Sequence, residues 1–369
     1  MPQKSKIALF LSGSFLAGYI ITTPIGLYEY AGWLLVGFFI SLAILFRAYE
    51  ILKGYSFTIM IFAAVSAAMY YPQFFIVAGD FKFSRLIIPL MQIIMFGMGT
   101  SLSLKDFARV MQMPKGVVVG VLCHYTIMPL VGLAITKIFT FPPEIAAGII
   151  LIGSCPNGLA SNVMSYLARA NLALAVTLTA VSTLLAPLVT PLLMQLLAGQ
   201  YVSIDFWAMM TDILRIIILP IGVGLIFNYF LHGKFKMLDD ILPVLSMTGI
   251  ALIIVVITAA GRNALLVVGP LLILAMLTHN LTGYFLGYWS SRLLRMPEVD
   301  CRTIAIEVGL QNAGLGSSLA LAMGKLTTVG LAPAVFAPIM NITGSSLALW
   351  WRGHPLEQPI AEKLFPADN

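Results

Sequence analysis

Apolar runs of about 20 residues recur along almost the whole of this 369-residue chain, and that recurrence limits the fold more than any other feature. A helix that crosses a bilayer needs about 20 largely apolar residues, and lipid admits only helices or closed barrels because backbone N–H and C=O groups find no water there. Hydrophobic residues make up 60% of the chain and charged residues only 10%, against about 25% charged in a soluble domain. No stretch between the runs is long enough for a separate soluble domain. The chain therefore reads as an all-α polytopic membrane protein. The run that follows Lys4 and Lys6 has no clean small-x-small cleavage site and reads as a retained first helix.

Charged residues, glycines and prolines divide the runs into twelve spans, near 7–27, 31–46, 56–78, 86–101, 116–138, 145–168, 172–198, 207–231, 240–261, 264–291, 301–324 and 331–351. Basic residues gather in cytoplasmic loops, so a wrong count would scatter them. With a cytoplasmic N-terminus, fifteen of the 21 Lys and Arg fall on the cytoplasmic side and five on the other, with Arg215 inside a span. That asymmetry predicts an inner-membrane protein with both termini in the cytoplasm. The net charge of +6 is thus a topology signal and implies no nucleic-acid partner. Cys123, Cys155 and Cys301 lie in apolar segments without metal-ligand spacing and read as buried free thiols.

Two spans are broken by residues that a membrane helix ordinarily avoids. Gly153-Ser-Cys-Pro-Asn-Gly-Leu-Ala-Ser-Asn162 interrupts the sixth, and Glu307-Val-Gly-Leu-Gln-Asn-Ala-Gly-Leu-Gly316 interrupts the eleventh. Irregular backbone at membrane depth is tolerated only where protein buries it or a polar cavity meets it. The interruptions lie five spans apart, so the two helices run in opposite directions, which predicts two inverted five-helix repeats with crossing discontinuous helices. The expected division is an extra N-terminal hairpin over 1–55, repeats over 56–200 and 201–352, and a cytoplasmic tail over 353–369. Paired interrupted helices in corresponding positions point to a transporter binding site.

Glu307 is the carboxylate that falls near mid-membrane, where an unpaired charge costs about 2.5–3.5 kcal/mol or more. Gln311, Asn312, Ser161 and Asn162 supply oxygens of the kind a small hard cation prefers, and half-helix N-termini favour an anionic substrate group. The alternatives are a protonated Glu307 in a helix contact and, for Asn157, Asn312 and Asn341, ordinary interhelical hydrogen bonds. His279-Asn280 reads as a helix-packing pair. The chain shows no catalytic dyad and no nucleophile with its base, so an enzyme is not expected.

Five segments together resemble the bile acid:sodium symporter family, in particular its bacterial members: Ile94–Gly99, Ala160–Arg169, Ala180–Thr183 with Pro187, Glu307–Asn312 and Asn341–Gly344. The resemblance covers about residues 56–351. It implies ten helices in two inverted repeats, divided into a panel and a core, with sodium as coupling ion, no other cofactor, and a small organic anion as substrate; membrane lipid is the only other partner. The first sodium site it implies uses Ser161, Asn162, Thr179 and Glu307. The second uses Glu307, Gln311 and the carbonyls of Val308 and Leu310, with His124 where relatives place a glutamine. Asn157, Asn312 and Asn341 are the implied substrate contacts. This sequence departs from relatives at Ala175, which brings no hydroxyl to the first site, and at Leu159, which replaces a small polar residue. An imidazole is a poorer sodium ligand than an amide oxygen and can carry a proton, so weaker second-site binding and pH-sensitive coupling are expected. The runner-up reading is proton-coupled or uncoupled transport of the same kind of anion.

Overall fold

The computed structural model of the protein describes residues 3–49, 52–103, 111–231 and 236–354. Residues 355–369 of the expected tail, and the basic loop residues Lys105, Arg109 and Lys234, lie outside them.

Among the described residues, eight helices are long and apolar enough to cross a membrane and four shorter apolar helices accompany them. The chain opens with a hairpin, α1 (Gln3–Thr22) and α2 (Tyr28–Arg47), that packs on α3 (Ser56–Tyr70). α3 ends earlier than the 56–78 run suggests, because Tyr71-Pro72 cannot continue it; a turn and a two-residue β-hairpin follow (β1, Val77–Ala78; β2, Phe81–Lys82). Next come α4 (Ile87–Ser101), α5 (Pro114–Ile138), α6 (Pro143–Ser154), α7 (Ala160–Leu167) and α8 (Leu172–Leu193). α9 (Phe206–Ile213) runs through a π-helical turn at Leu214–Ile218 into α10 (Leu219–Leu231). The rest are α11 (Lys236–Ala260), α12 (Arg262–Leu293), α13 (Glu298–Gly309), α14 (Ala313–Ala322) and α15 (Leu331–Gly353). The sixth and eleventh apolar runs are thus each two half-length helices, α6/α7 and α13/α14, parted at the breaker residues.

Packing sorts the helices into two groups. α4 lies against α10 and α11, and α11 against α3, forming one group that also carries the N-terminal hairpin. The other wraps the interrupted helices, with α5 against α6 and α12, and α12 against α13 and α15. Small residues set the closest approaches within the first group: a Cβ on Gly99 would meet Ile221 O at 2.3 Å, and one on Gly224 would meet Phe96 O at 2.3 Å. Backbones of α4 and α10 touch there, the contact that small residues permit in membranes.

Polar contacts tie down the outer ends of the interrupted helices. Glu144 in the first turn of α6 pairs with Lys325, which follows α14. In the converse arrangement Asn171, which follows α7, caps α8 through Leu174 N, donates to Asp300 in the first turn of α13 at 2.8 Å, and gives its own backbone N–H to Thr303 Oγ1 at 2.9 Å. Arg302 of α13 is buried; it pairs with Glu298 at 3.1 Å and donates to the carbonyls of Trp351 and His354 at 3.2 and 3.1 Å, so it closes the C-terminus of α15. Hydrogen bonds from a charged donor contribute about 1.5–3 kcal/mol. Arg302→Met is accordingly expected to lower the melting temperature in detergent by several degrees. A variant that melts with the wild type would show that the α15 terminus needs no such closure.

Candidate functional site

The two interruptions meet. α6 ends at Ser154 and the chain becomes extended at Cys155 (ψ 154°); α13 ends at Gly309 and becomes extended at Leu310 (ψ 104°). Neither Pro156 nor the glycines favour a continued helix, and the freed backbones pair with each other as an antiparallel bridge, Asn157 opposite Gln311. Asn312 N donates to Pro156 O at 2.9 Å and Gly158 N to Leu310 O at 3.3 Å. The pairing needs a glycine at 158, since a Cβ there would stand 2.8 Å from Gln311 O.

Side chains satisfy the carbonyls that the bridge leaves. Ser154 O accepts from Thr190 at 2.7 Å, Val308 O from Gln311 Nε2 at 2.7 Å, and Gly309 O from Asn280 Nδ2 at 2.8 Å. Glu307 O accepts from Asn157 Nδ2 at 2.7 Å. The buried ring of His124 on α5 places Nε2 2.9 Å from Cys155 O and Nδ1 3.3 Å from Glu307 O. A neutral imidazole donates from one nitrogen only, and the shorter contact assigns that proton to Nε2. His124 therefore holds the first break through Cys155 O, with its other nitrogen beside Glu307 O of the second, and makes no hydrogen bond to the Glu307 carboxylate.

That carboxylate is buried among oxygens. Its Oε2 accepts from Thr179 Oγ1 at 3.1 Å. Thr179 Oγ1 also lies 3.3 Å from Asn162 Oδ1 and 3.3 Å from Ser161 Oγ, whose own hydrogen is given to Gly158 O at 2.8 Å. Four oxygens from α7, α8 and α13 thus share one free hydroxyl hydrogen. Such a cluster can receive positive charge, because oxygen lone pairs brought together with few donors repel and stay desolvated. Ala175 is buried on α8 and adds no oxygen.

The structure brings Ser161, Asn162, Thr179 and Glu307 together, and sets Val308, Leu310, Gln311 and His124 around the bridge. Asn312 caps α14 by accepting from Leu315 N at 3.0 Å, which leaves its Nδ2 without an acceptor among the described residues. Asn341 spends its Nδ2 on Ala337 O of its own helix at 2.8 Å, and makes no hydrogen bond to the cluster. Asn280 was legible only as a packing residue; its role at Gly309 O depends on how α12 lies against the break, which no local pattern records. The three cysteines are free and buried.

Comparison with known proteins decides the family. The Sodium Bile acid symporter family model matches residues 88–268. The uncharacterized sodium-dependent transporter YocS of Bacillus subtilis (strain 168) is 42% identical over 260 residues, 70% of this chain and 80% of that protein. The chain belongs to the sodium bile acid symporter family. Two plant members, the probable sodium/metabolite cotransporters BASS1, chloroplastic, of Arabidopsis thaliana and of Oryza sativa subsp. japonica, are 36% and 35% identical over 260 and 272 residues. These alignments cover 70% and 72% of this chain and 65% and 67% of the plant proteins. Membership in the sodium bile acid symporter family makes this a multi-pass membrane transport protein and not an enzyme.

Proposed function

We propose that the protein is a secondary active transporter that couples inward sodium movement to uptake of an organic anion bearing a carboxylate. The observation that carries this reading is the donor-poor oxygen cluster around the buried Glu307 carboxylate, formed where two interrupted helices meet. A monovalent cation neutralises the carboxylate, and its arrival orders side chains from three helices at once. Ser161, Asn162, Thr179 and Glu307 form one sodium site in this reading. Glu307, Gln311 and the Val308 and Leu310 carbonyls form a second, with His124 behind it.

The anion is placed at the start of α14. First-turn N–H groups carry partial positive charge there, and Asn312 Nδ2 is a hydrogen-bond donor not otherwise used. Asn341 lies on the neighbouring α15. Movement of the α3, α4, α10 and α11 group against the group that holds the breaks would expose the site to each side in turn. The reciprocal end contacts, Glu144 with Lys325 and Asp300 with Asn171, support two inverted five-helix halves over 56–200 and 201–352 behind the 1–55 hairpin, twelve spans in all.

Melting of the purified protein in NaCl against KCl tests the reading. Bound sodium at 100 times its dissociation constant adds about 2.7 kcal/mol, so NaCl is expected to raise the midpoint by several degrees, and small carboxylates to add a further rise only in NaCl. Equal midpoints in both salts, with a carboxylate effect that follows pH instead, would transfer the reading to proton coupling.

Orientation has its own expected outcome. Gln200→Cys should react with a membrane-impermeant maleimide on intact cells and Gly353→Cys only after permeabilisation, against a low background because Cys123, Cys155 and Cys301 are buried. The reverse pattern would invert the topology and remove the cytoplasmic assignment of both termini.

A further inference from the structure

Three side-chain oxygens at the crossover, Glu307 Oε1, Gln311 Oε1 and Asn157 Oδ1, are buried and accept no hydrogen bond. A buried acceptor left unmet keeps its full desolvation cost. The orientation of both amides follows from their donors. Asn157 Nδ2 is committed to Glu307 O at 2.7 Å and Gln311 Nε2 to Val308 O at 2.7 Å; turning either amide over would set oxygen against carbonyl oxygen. In both residues the oxygen is therefore the group left facing the site.

Two of these oxygens belong to facing residues. Asn157 and Gln311 are bridge partners, so their side chains stand on one face with Cβ atoms about 4.5–5.5 Å apart. Glu307 is tied to the pair through its own carbonyl, which accepts from Asn157 Nδ2 at 2.7 Å. A group of acceptors without donors has nothing to offer a substrate carboxylate. It suits a cation.

Position 124 on α5 brings no oxygen to the bridge: its histidine turns its nitrogens to Cys155 O and Glu307 O. We propose that Asn157 is a direct ligand of a coupling sodium ion, together with Glu307 and Gln311, and that its Oδ1 supplies the amide oxygen that α5 does not. This rests on sodium coupling as proposed above, and it moves Asn157 from substrate contact to ion contact.

The test uses the full-length purified protein, with NaCl titrated against KCl at constant ionic strength and the melting midpoint as readout. Asn157→Ala is expected to raise the sodium concentration for half-maximal stabilisation at least tenfold, and His124→Gln added to it to recover most of that loss. Asn157→Ser keeps an oxygen and one hydroxyl hydrogen, so it should bind sodium more weakly than the wild type yet still respond, even where the alanine variant does not fold. A wild-type sodium response in Asn157→Ala or in Asn157→Ser overturns the assignment of Asn157 alone. A wild type indifferent to sodium overturns both this assignment and the sodium-coupled reading.

Discussion

Glu307→Gln is expected to abolish the sodium-dependent rise in melting midpoint and sodium-coupled uptake, while the protein stays folded. The exchange keeps the shape of the side chain and removes its charge. At an effective dielectric constant of about 20, two unit charges about 4 Å apart attract by about 4 kcal/mol, and each 1.4 kcal/mol is tenfold in affinity. Sodium affinity should therefore fall by about a thousandfold. In KCl the same variant should melt no lower than the wild type, because a buried carboxylate without a cation is costly and a neutral amide is less so. The combination is diagnostic: stability kept or raised in potassium, and the sodium response lost. Normal sodium coupling in the glutamine variant would remove Glu307 from the ion site.

Gly158→Ala should damage the protein by a different route. Its Cβ would stand 2.8 Å from the Gln311 oxygen and 3.3 Å from the Gln311 carbonyl carbon, both backbone atoms that cannot rotate away. To admit one methyl group the bridge must part, which gives up the bonds from Gly158 N to Leu310 O and from Asn312 N to Pro156 O. Overpacking costs about 1–3 kcal/mol, and the unmet backbone groups add to it. A large fall in melting midpoint is expected, with transport reduced at least a hundredfold in whatever folded protein remains. Gly222→Ala and Gly269→Ala are the comparison, since a Cβ at either meets nothing within 4 Å. A Gly158 variant as stable and active as those two would show that the close approach of the breaks is dispensable.

Both predictions act on features with different origins. That Glu307 matters was readable from residue types alone, because a carboxylate in an apolar run demands a partner wherever the run folds. That Gly158 lies in an interruption, unlike Gly222, was readable. That no side chain fits there was not, because it depends on whether another backbone arrives alongside. His124 gives the same lesson. Its place in α5 is a matter of sequence, but the expectation that it would stand as a ligand near the carboxylate assumed a direction for its ring. Packing of α5 against α6 and α13 turned that ring to two carbonyl oxygens.

The sequence by itself determined the membrane class, the position of most helices and the two interruptions, since those follow from local rules: apolar length, the breaking effect of Pro and Gly, and the cost of charge in lipid. Its resemblance to relatives also brought Ser161, Asn162, Thr179 and Glu307 onto one list, and the structure gathers the first three beside the Glu307 carboxylate. Tertiary structure alone decided that the interruptions pair as an antiparallel bridge, that Asn280 on α12 holds Gly309 O, and that the amides of Asn157 and Gln311 present oxygen where they meet. The physical reason is range. Helix formation and insertion depend on neighbours within a few turns, whereas the direction of a hydrogen-bonding group is set by whichever donor or acceptor a distant segment brings to it, here across about 150 residues of chain.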